Sequence, residues 1–297
     1  MKYATFFIFL WINTLLSAQN DDLLSLLGEE ETPTEYVRAS FKSTRVVNAQ
    51  SLENLSEGVL DFRISHRFGR LEMGPYDLFG LDNATMRIGF DYGITPRLMA
   101  GVGRSTINKT YDAFFKYKIL WQHSGSSNMP ISLLWYSSIA LESLKWQQPE
   151  RENYFTSRLF YTHQLIVGRK FSEGFSLELL PTLVHRNLVD SVHIKNDVMA
   201  YGIALRQKIS KRTAINIEYF YVPSGQIYKD YKNALSIGLD IETGGHVFQL
   251  HFTNAPAMTD KGFITETADD WFKKGIHFGF NISRVFTVKE RRNSKYM

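Results

Sequence analysis

Ser157, Tyr161 and His163 share one parity of a single stretch, and His66 and His185 hold comparable positions on two others. A serine hydroxyl beside an imidazole is the beginning of an acyl-transfer site, because the ring can take the hydroxyl proton as attack begins. No Asn or Asp is placed to orient such a ring, so no catalytic residue is assigned. His246, His251 and His277 offer imidazoles to a transition metal. His246 breaks parity with the other two, and no metal ligand is assigned. No G-x-S-x-G elbow, H-E-x-x-H, phosphate-binding loop or acidic calcium loop occurs, and no cofactor is expected. Gly101-Val102-Gly103 lies inside a strand-like run with no helix after it.

The most suggestive constellation is ionic. Arg63, Arg87, Asp91, Lys116, Lys118, Arg158, Glu178, Arg206, Glu218 and Asp240 each stand on the polar parity of an alternating segment. Basic members come mostly from early segments and acidic ones from later segments. Lining a channel, they would set up an uneven field able to orient a polar solute and select among ions. The same charges could instead pair with one another and hold a narrow barrel rigid.

The elements that carry them repeat every second residue. Leu60, Phe62 and Ile64 alternate with Asp61, Arg63 and Ser65; Met86 to Tyr92, Leu235 to Glu242, Phe248 to Thr253 and Ile276 to Ser283 do the same. Successive strand side chains point to opposite faces, so each segment is a strand with one apolar and one polar face. The strands fall at 58–68, 83–92, 96–105, 110–122, 130–143, 153–169, 174–187, 196–209, 212–223, 232–243, 245–254 and 274–287. Each is near or above the roughly 9–11 residues that a tilted strand needs to cross a bilayer. Gly93-Ile94-Thr95, Phe171-Ser172-Glu173, Ser210-Lys211 and Thr243-Gly244 are tight turns, and the intervening links are mostly longer. That asymmetry belongs to membrane barrels with short periplasmic turns and long outer loops.

A barrel of this size with an apolar interior would enclose a void that is hard to pack, so the apolar face is assigned to lipid and the polar face to the lumen. Tyr92, Trp121, Phe155, Tyr219 and Tyr221 lie toward strand ends, where interfacial aromatic belts form. The fold expected is therefore all-β: a transmembrane antiparallel up-and-down barrel of about twelve strands after a cleaved signal peptide. Residues 1–18 read as the signal peptide, with Lys2, an apolar run from Phe6 and small residues at Ser17-Ala18. Residues 19–57 form an acidic periplasmic leader and a possible lumen segment, 58–287 the barrel, and 288–297 a basic periplasmic tail. Val37 to Val46 also alternates; it is assigned to the lumen or its periplasmic mouth, with a fourteen-stranded barrel as the alternative.

The stretches GVLDFRISHRFGRLE, DLFGLDNATMRIGFDYGIT, KTYDAFFKYK, NYFTSRL, LLPTLVHRN, DIETGGHVFQLHFTNA, KGFITET and HFGFNISRVF resemble the β-barrel family designated domain of unknown function 5777. The resemblance covers nearly the whole mature chain, and DIETGGHVFQLHFTN with KGFITET carries it most specifically. It implies a barrel in the outer membrane of a Gram-negative bacterium and brings no activity or site residue with it.

Cysteine is absent, which excludes disulfides, thiolate metal sites and an anchor on an N-terminal cysteine. The 34 basic and 30 acidic residues are dispersed, so nucleic acid is not an expected partner. Expected partners are outer-membrane lipid, small polar solutes and a periplasmic protein engaging residues 19–36, with both termini periplasmic. The function expected is a narrow pore, with Phe263, Ile264 and Trp271 of the long 255–273 link forming a constriction. The alternatives are a closed barrel with a structural or partner-binding role and, more distantly, a lipid-modifying enzyme.

Overall fold

The computed structural model describes residues 33–189, 191 and 194–289. The signal peptide, residues 19–32 of the leader and nearly all of the basic tail lie outside them. Twelve antiparallel strands close into one barrel, each hydrogen-bonded to its neighbours in sequence and the last to the first. They are β1 (Val59–Arg70), β2 (Ala84–Gly93), β3 (Leu98–Ser105), β4 (Thr110–Leu120), β5 (Ser132–Glu142) and β6 (Leu159–Lys170). The circuit continues with β7 (Phe175–Arg186), β8 (Asp197–Lys208), β9 (Thr213–Tyr221), β10 (Ala234–Thr243), β11 (His246–Thr253) and β12 (His277–Thr287). Closure removes every sheet edge, which a strand-built membrane span requires because lipid offers no partner to a free N–H or C=O. No described helix is long and apolar enough to cross a membrane.

Register follows the alternation read from the sequence. Ile64 stands opposite Ile88, and Phe90 opposite Phe62 and Val102, all on the outer face. Three of the tight turns use one device: a Ser or Thr hydroxyl accepts the backbone N–H two and three residues on. Thr95 receives Arg97 and Leu98 at 3.2 and 3.0 Å, Ser172 receives Gly174 and Phe175 at 3.2 and 3.1 Å, and Ser210 receives Arg212 and Thr213 at 3.2 and 3.1 Å. The fourth turn relies on Gly244 and Gly245, whose φ values of 31° and 114° suit glycine. These turns share one end of the barrel with the 121–131 link; the long links share the other.

Two sequence expectations need correction. The strand placed at 153–169 begins only at Leu159, because Phe155–Arg158 forms a 3-10 turn. The lumen is also less polar than alternation suggested. Leu134, Tyr136, Phe160, Ile166, Leu180, Val184, Val198 and Phe220 all face inward and are buried. They belong to β5–β9, where both faces are apolar and the period-two signal fades.

Candidate functional site: a hairpin held in the lumen

The N-terminal segment is tied to the short-turn end before it enters the barrel. Glu35–Tyr36 pairs antiparallel with His123–Ser124, and Val37 N–H donates to the Gln122 carbonyl at 2.8 Å. Trp121 Nε1 donates to the Val37 carbonyl at 2.7 Å, and its ring centroid lies 5.1 Å from that of Tyr36. Lys118 Nζ sits 4.3 Å from the centre of the Trp121 ring. Trp121 is thus committed to the N-terminal strap, not to the lipid belt assigned to it from sequence.

From there the chain turns into the lumen and returns to start β1. Val46 N–H donates to the Ala49 carbonyl and Ser51 N–H to the Thr44 carbonyl, at 2.8 and 3.0 Å, making a small hairpin with its apex at 46–49. The Val37–Val46 stretch therefore runs from the strap at the mouth into the lumen, and no additional barrel strand forms.

The inward charges grip this hairpin by its backbone. Glu218 accepts the consecutive amides of Val47, Asn48 and Ala49 at 3.0, 2.9 and 2.9 Å. Glu178 accepts Leu52 N–H at 3.0 Å. Lys116 Nζ donates to three carbonyls, those of Thr44, Ser51 and Glu53, at 3.2, 3.1 and 2.6 Å. Gln249 donates to the Val46 carbonyl at 2.6 Å and Asn281 to the Val47 carbonyl at 3.1 Å, while Arg67 donates to the Asn48 side chain at 2.9 Å. Asp91 accepts the Thr44 hydroxyl at 3.2 Å, and Arg63 donates to that hydroxyl at 3.4 Å and lies 3.6 Å from Asp61. Val46, Ala49 and Leu52 pack into the inward apolar cluster of the wall, which also contains Phe114 and Leu134. Charged partners strengthen hydrogen bonds, and the apolar contacts keep water away from them.

The remaining expected residues divide. Arg206 and Asp240 face inward, and Gln249 donates to Asp240 at 2.6 Å. Arg87 also faces inward but pairs with Asp112 on the wall. Its guanidinium lies over Gly103, where an added Cβ would come within 2.2 Å of Nη2. Arg158 is not a lumen residue. Its turn places it on the long-loop rim, where it donates to the carbonyls of Glu142 and Leu144 and stacks 3.8 Å from the Trp146 ring centre.

At the long-loop end the 254–276 link dips inward through a short helix, α1 (Asp260–Thr265), all of it buried. Tyr136 and Ser138 donate to the Asp260 carboxylate at 2.6 and 2.8 Å. Lys261 reaches Glu142 and Glu266 at 2.5 and 2.7 Å. Burial works against the Lys261 charge, but Glu266 and Glu142 outweigh it and hold the ammonium above the usual lysine range. Burial likewise raises the Glu266 carboxyl. Phe263 meets Phe220 edge-on at 5.2 Å, and Ile264 is fully buried beside it in the core. Trp271, grouped with them from sequence, instead sits on a half-exposed 3-10 turn and takes no part in the narrowing. Arg45 of the hairpin and the start of α1 flank a cavity of about 10 Å³, also lined by Asp112 and Asp260, with room for about one water. A second cavity of about 340 Å³ opens at the short-turn end among Lys42, Glu53, Asp61 and Glu242.

The histidines do not form the sites their parity allowed, although His185, expected to lack an orienting carboxylate, has Asp197 2.7 Å from its Nδ1 across β7 and β8. His277 Nε2 lies 2.7 Å from Asp269 and Nδ1 2.8 Å from the Phe68 carbonyl, fastening the dipping link to the wall. On the outer face the serine beside His163 is Ser137, 2.8 Å away across β5 and β6, not Ser157. Strand register, which puts Ser137 opposite His163, could have revealed this pair. Each satisfies the other's polarity against lipid.

Among solved structures, a NanC porin aligns over 77% of this chain and 98% of its own at 10% identity and TM-score 0.49. The KdgM porin aligns over 77% and 99% at 11% identity and TM-score 0.46. The Acinetobacter baumannii outer membrane protein Omp33 aligns over 77% and 99% at 10% identity and TM-score 0.41. No curated protein matches the sequence. The model of the membrane bound beta barrel domain (DUF5777) matches residues 41–286, from within the lumen hairpin to the last strand, and the chain belongs to that family.

Proposed function

We propose that this protein is an outer-membrane channel for small polar solutes, held shut by its own N-terminal hairpin. The observation that carries the reading is the direction of the strongest inward charges: Glu218, Glu178 and Lys116 are directed at the backbone of the hairpin. Those bonds run through wall side chains, so the hairpin can leave without breaking the strand ladder that closes the barrel. When it leaves, the same residues, with Arg63, Asp91, Arg206 and Asp240, line a wet polar path and set its ion preference. The family match begins at residue 41, so the hairpin apex lies within the matched domain. A periplasmic partner drawing on residues 19–36 would pull directly on it, since the strap and hairpin follow in sequence.

A second reading, a permanently closed barrel with a structural role, is favoured by the depth of hairpin burial, with Val46, Val47 and Ala49 each at most 2% exposed. One experiment separates the two. An added Cβ at Gly238 lies 3.1 Å from Val47 Cγ2, close to the roughly 3 Å from Cβ to the opposing sulfur in a disulfide. Val47→Cys with Gly238→Cys, in a chain without other cysteines, should lock the hairpin when oxidised. Silence in planar bilayers when oxidised, with discrete openings on reduction, supports the channel. Equal conductance in both states would place the path elsewhere. Silence in both, from a heat-modifiable barrel, would favour the closed scaffold.

A further inference from the structure

The outer face of β11, β12 and β1 is a continuous aromatic surface. Phe252 and Phe278 have ring centroids 5.6 Å apart, Phe68 and Phe278 5.8 Å, and His66 and Phe280 4.9 Å. In a membrane barrel this is the lipid face. At the long-loop end the apolar surface does not stop where the strands stop. The link 71–83, rising from β1, carries Met73, Tyr76, Leu78, Phe79 and Leu81, all exposed, with Tyr76 94% exposed. The neighbouring link rising to β12 adds Phe272, 88% exposed, followed by exposed Lys273 and Lys274. Leu71 N–H donates to the Ile276 carbonyl at 2.9 Å, which joins the two links at their bases.

The 71–83 link is built to display these side chains. Leu78 and Phe79 adopt φ values of 46° and 54°, a left-handed backbone that bulky residues rarely adopt. Gly80 holds the strain in place: it packs so closely on Gly69 that an added Cβ would lie 2.5 Å from the Gly69 carbonyl carbon. Phe79 N–H closes the turn on the Gly74 carbonyl at 2.8 Å. Strained backbone spent on turning Leu and Phe outward calls for something to cover them.

We infer that links 71–83 and 271–274 form a membrane-seated foot, whose aromatic and aliphatic side chains enter the headgroup and upper acyl region of the leaflet at the long-loop end. Two observations select lipid over a protein partner. The patch is continuous with a face that already contacts lipid. Its cations lie next to Phe272, where lysines reach the phosphate layer while their stems cover apolar surface. Of the link's acidic residues, Glu72 is paired with Arg70 at 3.5 Å, Asp77 is half-buried, and Asp82 is exposed beside the start of β2. The inference stands whether or not the barrel conducts.

The test uses the absence of native cysteine. Phe79→Cys and, separately, Tyr76→Cys are labelled with an environment-sensitive fluorophore and reconstituted in phosphatidylcholine–phosphatidylglycerol vesicles. Lys211→Cys, in a short turn, serves as the water-exposed control. The expected result is a blue-shifted emission at both positions, quenched severalfold more by doxyl lipid than by aqueous iodide, with the opposite order at position 211. Iodide quenching of Phe79→Cys and Tyr76→Cys equal to the control would overturn the inference. So would a dimer formed by a short bismaleimide at either position, because the patch would then be covered by a second copy.

Discussion

Replacing Glu218 by Gln removes one charge and almost no volume, so its effect isolates the grip on the hairpin. Three backbone donors converge on the carboxylate at 2.9–3.0 Å, in a site only 2% exposed. Hydrogen bonds to a charged group contribute about 1.5–3 kcal/mol each, but bonds sharing one acceptor group are not additive. Gln keeps one oxygen and turns an N–H₂ toward donors, while its lower desolvation cost returns part of the loss. A net weakening of about 3 kcal/mol raises the undocked fraction by roughly 10²-fold. The readout is thiol labelling of Ala49→Cys, buried in the docked hairpin, by a small charged reagent. When reclosing is faster than labelling, the rate follows the undocked fraction and should rise by the same factor. Channel openings should become more frequent in parallel. A labelling rate unchanged by Glu218→Gln, with heat-modifiability intact, would refute the claim that this carboxylate holds the closed state.

Asp112→Ala should destabilise the barrel by about 3–5 kcal/mol, because it leaves the buried Arg87 guanidinium without its ion partner; the urea midpoint in micelles reports it. Phe263→Ala empties the contact with Phe220 and should cost about 3–5 kcal/mol of loop docking, seen as faster proteolysis of the 255–276 link with the barrel intact. Lys261 has a docked pKa above its free value, so its contribution is fully present below the free lysine range and lost as pH climbs through the docked value. Proteolysis of that link should therefore stay slow through neutral and mildly alkaline pH and accelerate only above the usual lysine range. Lys261→Met should remove that pH dependence.

The architecture was legible wherever one face met lipid and the other did not. Phe248, Leu250 and Phe252 alternate with Gln249, His251 and Thr253 because the barrel wall sorts them, and the turn hydroxyls of Thr95, Ser172 and Ser210 mark where it reverses. Legibility failed for two physical reasons. Along β5–β9 the inner face packs against Leu52, Phe263 and Ile264, so residues such as Ile166 and Leu180 are apolar although they point inward. Near Arg158 the alternation of NYFTSRL continues past the real start of the strand, because a 3-10 turn and a strand can carry the same short pattern. The hairpin shows a related limit: Val37–Val46 alternates like a wall strand, and only the partner of its backbone differs. A ladder would meet its backbone with main chain, whereas here the Thr44 and Val46 carbonyls are met by the side chains of Lys116 and Gln249.

That difference also divides the charges that looked equivalent in the sequence. Arg87 with Asp112, and Lys261 with Glu142 and Glu266, are satisfied by groups of the wall and the dipping link, and they keep their partners whether or not the hairpin is present. Glu218, Glu178 and Lys116 find theirs on the hairpin backbone. A plug meant never to move would still need acceptors for its buried amides, but neutral polar side chains could supply them without the cost of burying three charges. A plug meant to leave does gain: once the hairpin withdraws, water or a polar solute can take over each of those bonds, so departure exposes groups that are readily solvated. The first class of charge holds the barrel together, and the second is where substitutions should change opening and ion preference.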